Sequence, residues 1–190
     1  TAPLTPAAAD MKVPATRRIE SRVTPPQAVD KAGLVQKAFN WLFGYDYFLA
    51  HRSADGKAYA SALYDALIKK GNKLDCFLDV RHYGAGGGLT TMQARALRKT
   101  TRLIVVTTPH AHDADAPYLR GEVAEFRRIH PEGIIVPIGT NETLAEGHYP
   151  NSQLLPLLPH LPNDICILES AEHLLAGTPS PQALAKLLND

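Results

Sequence analysis

The sequence predicts an α/β fold, a doubly wound parallel sheet of five strands with helices on both faces, and three observations carry that expectation. Short apolar runs that read as strands alternate with stretches of helical periodicity from Tyr45 to Leu188. The first run, Tyr45 to Ala50, is aromatic and aliphatic with a single acid, Asp46, as a strand buried on both faces requires. At 190 residues the chain fits one ordinary domain with some tail and can bury a full core. In outline the arrangement is flavodoxin-like.

Composition narrows the function classes. The chain is 45% hydrophobic and 21% charged with a formal net charge of +1, and so near a balance argues against direct binding of nucleic acid. No apolar run approaches the ~20 residues that span a bilayer, so no membrane partner is expected. Cys76 and Cys166 lie in apolar strand-like runs, and we read them as buried thiols of a reducing, cytoplasmic compartment rather than a disulfide framework.

Residues 1–28 are expected to form a flexible N-terminal segment. Its first ten residues are rich in Ala, Pro and Thr and precede Met11, so residues 1–10 read as an expression remnant and Met11 as the natural start. Lys12, Arg17, Arg18 and Arg22 make a basic stretch with no apolar run after it, unlike a secretory signal. The domain proper is expected over 29–190. It opens with an amphipathic helix over 29–43, marked by Val29, Ala32, Val35 and Phe39 after Pro25-Pro26.

After the first strand, Asp55-Gly56 leads to a helix with Tyr59, Leu63 and Leu67 on one side. Lys69-Lys70 should form its cationic last turn and Gly71 its C-cap. Leu74 to Val80 is the expected second strand, followed by a glycine loop (Gly84, Gly86, Gly87, Gly88) and a basic helix capped by Thr90 or Thr91 and running to about Lys99. Leu103 to Val106 is the third strand, ending in Thr107-Thr108-Pro109. Pro117 opens a helix to about His130. Ile134 to Ile138 and Ile165 to Leu168 are the last two strands, and Glu169–Ala176 and Pro181–Leu188 the last helices. Four prolines between Tyr149 and Pro162 exclude a long helix there, and an irregular wrap around the sheet edge is expected.

In such sheets ligands bind at the carboxyl ends of the strands. The candidates there are His51, Arg52 and Ser53 after the first strand, Asp79 with Gly88 and Leu89 of the glycine loop, and Thr108 after the third. On the helix from Pro117, Leu119, Val123, Phe126 and Ile129 form one apolar stripe. Glu122 falls about 45° from its centre and Glu125 roughly 105° away. Glu122 therefore points towards the sheet, where burial would raise its pKa and the helix N-terminus and Arg52 would lower it. It reads either as a first-turn glutamate that satisfies the helix dipole or as a catalytic carboxylate, and the residues alone leave both open.

Tyr45-Asp46-Tyr47-Phe48-Leu49-Ala50-His51-Arg52 resembles the first conserved box of TIR (Toll/interleukin-1 receptor) domains, roughly aromatic-Asp-x-Phe-Ile-Ser-x-Arg. Asp79-Val80 with Gly88-Leu89 is similar to the second strand and BB loop of that family, and Leu103 to Pro109 to its third strand. Pro117-Tyr118-Leu119-Arg120-Gly121-Glu122-Val123 resembles its Trp-Cys-x-x-Glu-Leu motif. The likeness runs from about Tyr45 to Thr140, with Ala50 for the usual Ser, Tyr118 for Trp, and a longer, glycine-rich loop.

The resemblance implies an enzyme, an NAD glycohydrolase of the bacterial immune (antiphage) type. Glu122 is then its catalytic residue, and His51, Arg52, Ser53, Asp79, Gly88, Leu89, Thr108 and Tyr118 contact substrate. It further implies self-association through the BB loop, no metal, and no cofactor, NAD being consumed as the substrate. The alternative is a non-catalytic TIR scaffold that acts through TIR–TIR contacts.

Three other patterns are set aside. His110-Ala111-His112-Asp113-Ala114-Asp115 evokes a His-x-His-x-Asp-His metal motif, but its acids fall at the wrong offsets, and a mobile loop is expected. The glycine loop is neither Gly-x-Gly-x-x-Gly nor a P-loop. A receiver domain would need an acid pair and a lysine where His51-Arg52 and Glu169-Ser170 stand.

Overall fold

Successive side chains of a strand point to opposite faces, and the central strands here are apolar at both parities. In the computed structural model, which describes residues 44–69, 72, 74–78, 89–114 and 116–189, that alternation builds two cores on one sheet. The strands are β1 (Tyr45–His51), β2 (Cys76–Leu78), β3 (Thr100–Thr107), β4 (Ile134–Gly139) and β5 (Ile167–Leu168). All pair in parallel in the order β2-β1-β3-β4-β5, the flavodoxin-like doubly wound class.

The helices are α1 (Lys57–Leu67), α2 (Thr91–Arg98), α3 (Pro117–Ile129), α4 (Asn141–Leu144), α5 (Ala171–Ala176) and α6 (Pro181–Asn189). Tyr47, Leu49, Ile104, Val106 and Ile138 pack against Tyr59, Leu63 and Leu67 of α1, Leu174 of α5 and Leu187 of α6. Phe48, Ala50, Leu103, Val105 and Ile135 pack on the other face against Leu97 of α2 and Leu119, Val123 and Phe126 of α3. Each such buried side chain contributes roughly 1.5–3 kcal/mol.

The expected helix over 29–43, the basic segment before it, the Gly71 cap, Asp79-Val80 and the glycine loop Gly84 to Gly88 lie outside the described residues. Elsewhere several boundaries move. The first helix stops at Leu67, where the Ile68 N–H bonds the Tyr64 carbonyl, so Lys69 stands beyond the last turn instead of within it. β3 begins three residues early because polar Thr100 to Arg102 still pair with β1. β5 is shorter than expected because Asn163 turns the chain, accepting the Ile165 N–H on its side chain and the Cys166 N–H on its carbonyl. The proline-rich stretch is an irregular connection with one 3-10 turn, Leu155–Leu157. Leu154, Leu155 and Leu158 plunge into the core beside α3, and Arg127 of α3 donates to the Leu157 carbonyl. Cys76 and Cys166 are buried free thiols.

At the end of β5 the buried Glu169 holds three elements together. It accepts the Tyr59 hydroxyl at 2.8 Å, the Ser180 N–H at 3.0 Å and the Ser170 N–H at 3.1 Å. Burial alone would raise its pKa, but the Ser180, Tyr59 and Ser170 hydrogen bonds outweigh burial and hold it below the usual carboxylate value. Tyr59→Phe should cost about 1–3 kcal/mol in urea denaturation at pH 7. A depressed carboxylate stabilises above its ordinary pKa and loses that contribution as pH falls, so the difference from wild type should shrink below pH 4.5. Equal stability at pH 7 would show that Glu169 does not need the hydroxyl.

Candidate active site

In this strand order the chain leaves β1 towards α1 on one face and β3 towards α3 on the other, which puts the topological switch point of the sheet between the carboxyl ends of β1 and β3. The residues that close β1 and β3 meet there. His51, the last residue of β1, is opposite Val106 and buried. By the alternation of the strand it follows Tyr47 and Leu49 onto the α1 face, with Gly56 packed close against its Cβ. Glu122 is on the α3 face, so the sheet separates the two.

Arg52 is half-buried. Its guanidinium donates to the His110 carbonyl at 3.1 Å and lies 3.8 Å from Asp113. Ser53 is exposed in the following turn. Thr108 is buried and donates its hydroxyl to Asp55 at 2.7 Å, while the other Asp55 oxygen accepts the His110 N–H at 3.1 Å. Asp55, which the sequence reading passed over as a turn residue, thus ties the β1 exit to the β3 exit. A short polar residue after one strand and a hydroxyl after another is too common a pattern to reveal that pairing.

The expectation of a mobile loop at His110 to Asp115 is overturned over His110 to His112, and Asp115 lies outside the described residues. Pro109–His112 forms a 3-10 turn with Ala111 and His112 buried. His112 stacks on Tyr149 with ring centroids 4.0 Å apart. The Ser152 hydroxyl accepts the Leu154 and Leu155 N–H groups, so its proton goes to His112 Nδ1, 2.9 Å away. His112 is therefore neutral and pins the proline-rich stretch to the site. Among the described residues no group of His, Cys, Asp or Glu could hold a metal ion.

Glu122 is 1% exposed, one turn into α3. Its Oε1 accepts a hydrogen bond of 3.3 Å from Gln93 Nε2 of α2, a residue that is also 1% exposed. Leu89 packs against the same core, and Tyr118 is half-buried at the start of α3. Asp79 and Gly88 lie outside the described residues. Gln93 was absent from the sequence-based candidates, although Thr90-x-x-Gln93 does carry a capping-box signature. A thiol nucleophile is disfavoured, because burial, with Asp46 and Asp75 nearby, pushes Cys76 up to about 12.

The fold defines a doubly wound α/β protein whose switch point lies between β1 and β3. No family model matches the chain, and no curated protein does. Among solved structures it is similar to the TIR domains of the activated Roq1 resistosome directly recognizing the pathogen effector XopQ. That match has 20% sequence identity and a TM-score of 0.47, and covers 77% of this chain and 85% of that chain. Among the described residues no helix is long and apolar enough to cross a membrane.

Two histidines of the site should titrate in opposite directions. The hydrogen bond to Asp113, then the charges of Asp55 and Asp113, raise His110 above its ordinary 6.5. Burial lowers His112 below 6.5, only partly opposed by the Thr143 backbone and by Asp113 and Asp55. His110 thus favours the fold below pH 6.5 and loses that effect as pH rises through its folded value, whereas His112 favours it above pH 6.5 and loses that effect on acidification. Ring-proton NMR should place the two midpoints on either side of 6.5; coincident midpoints would contradict the pairing with Asp113 and the burial of His112.

Proposed function

We propose that this chain is a TIR-type NAD glycohydrolase of bacterial immunity, a cytoplasmic enzyme that releases nicotinamide from NAD. The observation that carries the reading is an inward-facing glutamate, Glu122, on the helix that follows β3, where the TIR-like motif Tyr118-Leu119-x-x-Glu122-Val123 falls. The strand order, with its switch point between β1 and β3, supports a ligand site at that end of the sheet.

The chemistry suits one carboxylate. The bond from ribose C1′ to the pyridinium nitrogen breaks, and its electron pair leaves with nicotinamide, which departs neutral without a general acid. Positive charge develops on the ribose, and an ionised Glu122 stabilises it and orients the hydroxyls. Water then adds to C1′ and releases a proton, giving ADP-ribose, unless the ribose is captured internally to give a cyclic form. Arg52, with His51, Ser53, Thr108 and Tyr118, is our candidate for holding the pyrophosphate, ribose and base. Asp79, Gly88 and Leu89 complete the proposed substrate contacts. NAD is substrate, and no further cofactor is proposed.

At 1% exposure Glu122 must be uncovered before a ribose reaches it. That is one reason to expect activation by self-association, with the segment around Gly84 to Gly88 as the assembling element. The same burial favours a second reading, a TIR scaffold that binds other TIR domains without turnover.

Incubating the protein with NAD and resolving the products by chromatography separates the two. Glu122→Gln should remove nicotinamide release and keep the fold, because the amide matches the carboxylate in shape but lacks its charge. Turnover within about tenfold of wild type, a barrier change under roughly 1.4 kcal/mol, would defeat the assignment of Glu122. Specific activity should also climb with protein concentration as sedimentation shows assembly. A flat profile for a species that stays monomeric would defeat the assembly step.

A further inference from the structure

We propose that Gln93 positions Glu122: its carboxamide reads the first turn of α2 at one end and holds the carboxylate of α3 at the other. The proposal rests on the reading of Glu122 as the catalytic group.

Gln93 is the third residue of α2. Its backbone N–H donates to the Thr90 hydroxyl at 3.2 Å, and its side-chain Oε1 accepts the Thr90 N–H at 2.7 Å, a complete capping box. Oε1 is thereby committed, because the Thr90 N–H can only donate. Nε2 is left facing Glu122 Oε1 at 3.3 Å, and an ionised carboxylate can only accept. Chemistry alone therefore fixes the amide orientation.

A capping box works with Glu or Gln at this position. Glu would complete the cap but would set a second carboxylate against Glu122 inside a buried region. Of the two, Gln alone serves both ends. With Gln93 and Glu122 each 1% exposed beside Ala96, Leu97, Leu119 and Val123, the contact lies in a low-dielectric setting where a donor to a charge counts for more than in water. The distance is long for an N–H···O bond, as bonds in ligand-free sites often are before substrate tightens them. The contact restrains the Glu122 rotamer against α2 and supplies its Oε1 with a donor.

The test uses the full chain with Gln93→Glu, Glu122→Gln and the exchanged double variant, read by stability and by turnover. Gln93→Glu keeps the cap, so a purely structural role predicts little change. The proposal instead predicts that its melting temperature falls relative to wild type between pH 5 and pH 8, as the facing carboxylates ionise. The double variant rebuilds an amide–carboxylate pair in reverse and should recover most of that loss. A double variant that loses the sum of the single losses overturns the pairing, whatever the enzyme does.

In turnover, Gln93→Glu should move the acid limb of the kcat profile upward by about one pH unit with KM unchanged within roughly twofold. Should that variant fail to fold, Gln93→Met keeps the volume, removes both contacts, and should lower kcat about tenfold at unchanged KM. A wild type that cleaves NAD, with Gln93 variants whose kcat profile overlays it, overturns the positioning role and leaves Glu122 catalytic. Stability rescue in the double variant, with no nicotinamide release from wild type, overturns the reading of Glu122 and the positioning role together, leaving a structural pin.

Discussion

Burial of β1 and β3 on both faces is the constraint from which the rest of this structure follows. Phe48, Leu49, Ile104 and Val105 are all within 1% of full burial, so helices must cover both sides of the sheet. Parallel strands cannot be joined by tight turns, and each crossover returns through a helix. Because the chain crosses one face after β1 and the other after β2 and β3, the switch point of the sheet falls between β1 and β3. The place of the switch point is thus a consequence of how the core was covered.

Three buried or half-buried carboxylates stand in different settings. Glu169 is saturated by two backbone N–H groups and a hydroxyl and acts as a structural clamp. Asp55 accepts a hydroxyl and a backbone N–H, and so joins two strand exits into one rim. Glu122 lies behind that rim on the other side of the sheet from His51, held by a side-chain amide. Their neighbours, rather than their residue type, separate the roles open to them.

Much of the fold was legible because it depends on local periodicity. The apolar run of β1 announced a strand buried on both faces, Pro117 marked the start of α3, and the helical wheel turned Glu122 inward. Thr90 was one of two offered caps and is the one used. The site was less legible because its pairs are distant in sequence. Gln93 and Glu122 are 29 residues apart, and Thr108 and Asp55 are 53. The segment at His110 read as mobile because its ordering comes from Tyr149 and Ser152, far along the chain. Periodicity reports which face a residue takes and is silent about the residue it meets there.

The kind of donor that holds a buried carboxylate decides how freely it can act. Backbone N–H groups, such as those on Glu169, are placed by the helix and turn they belong to, and shifting them means unfolding that turn. A side-chain amide needs only a rotation about its own bonds to release or re-aim its partner. Glu122 meets an amide whose other end is tied to the cap of α2, so its orientation is coupled to how the chain enters that helix. On the catalytic reading proposed for Glu122, a carboxylate that lies covered at rest and faces a developing cation during turnover needs such an adjustable holder. A saturated clamp like that on Glu169 would keep its charge but could not present it.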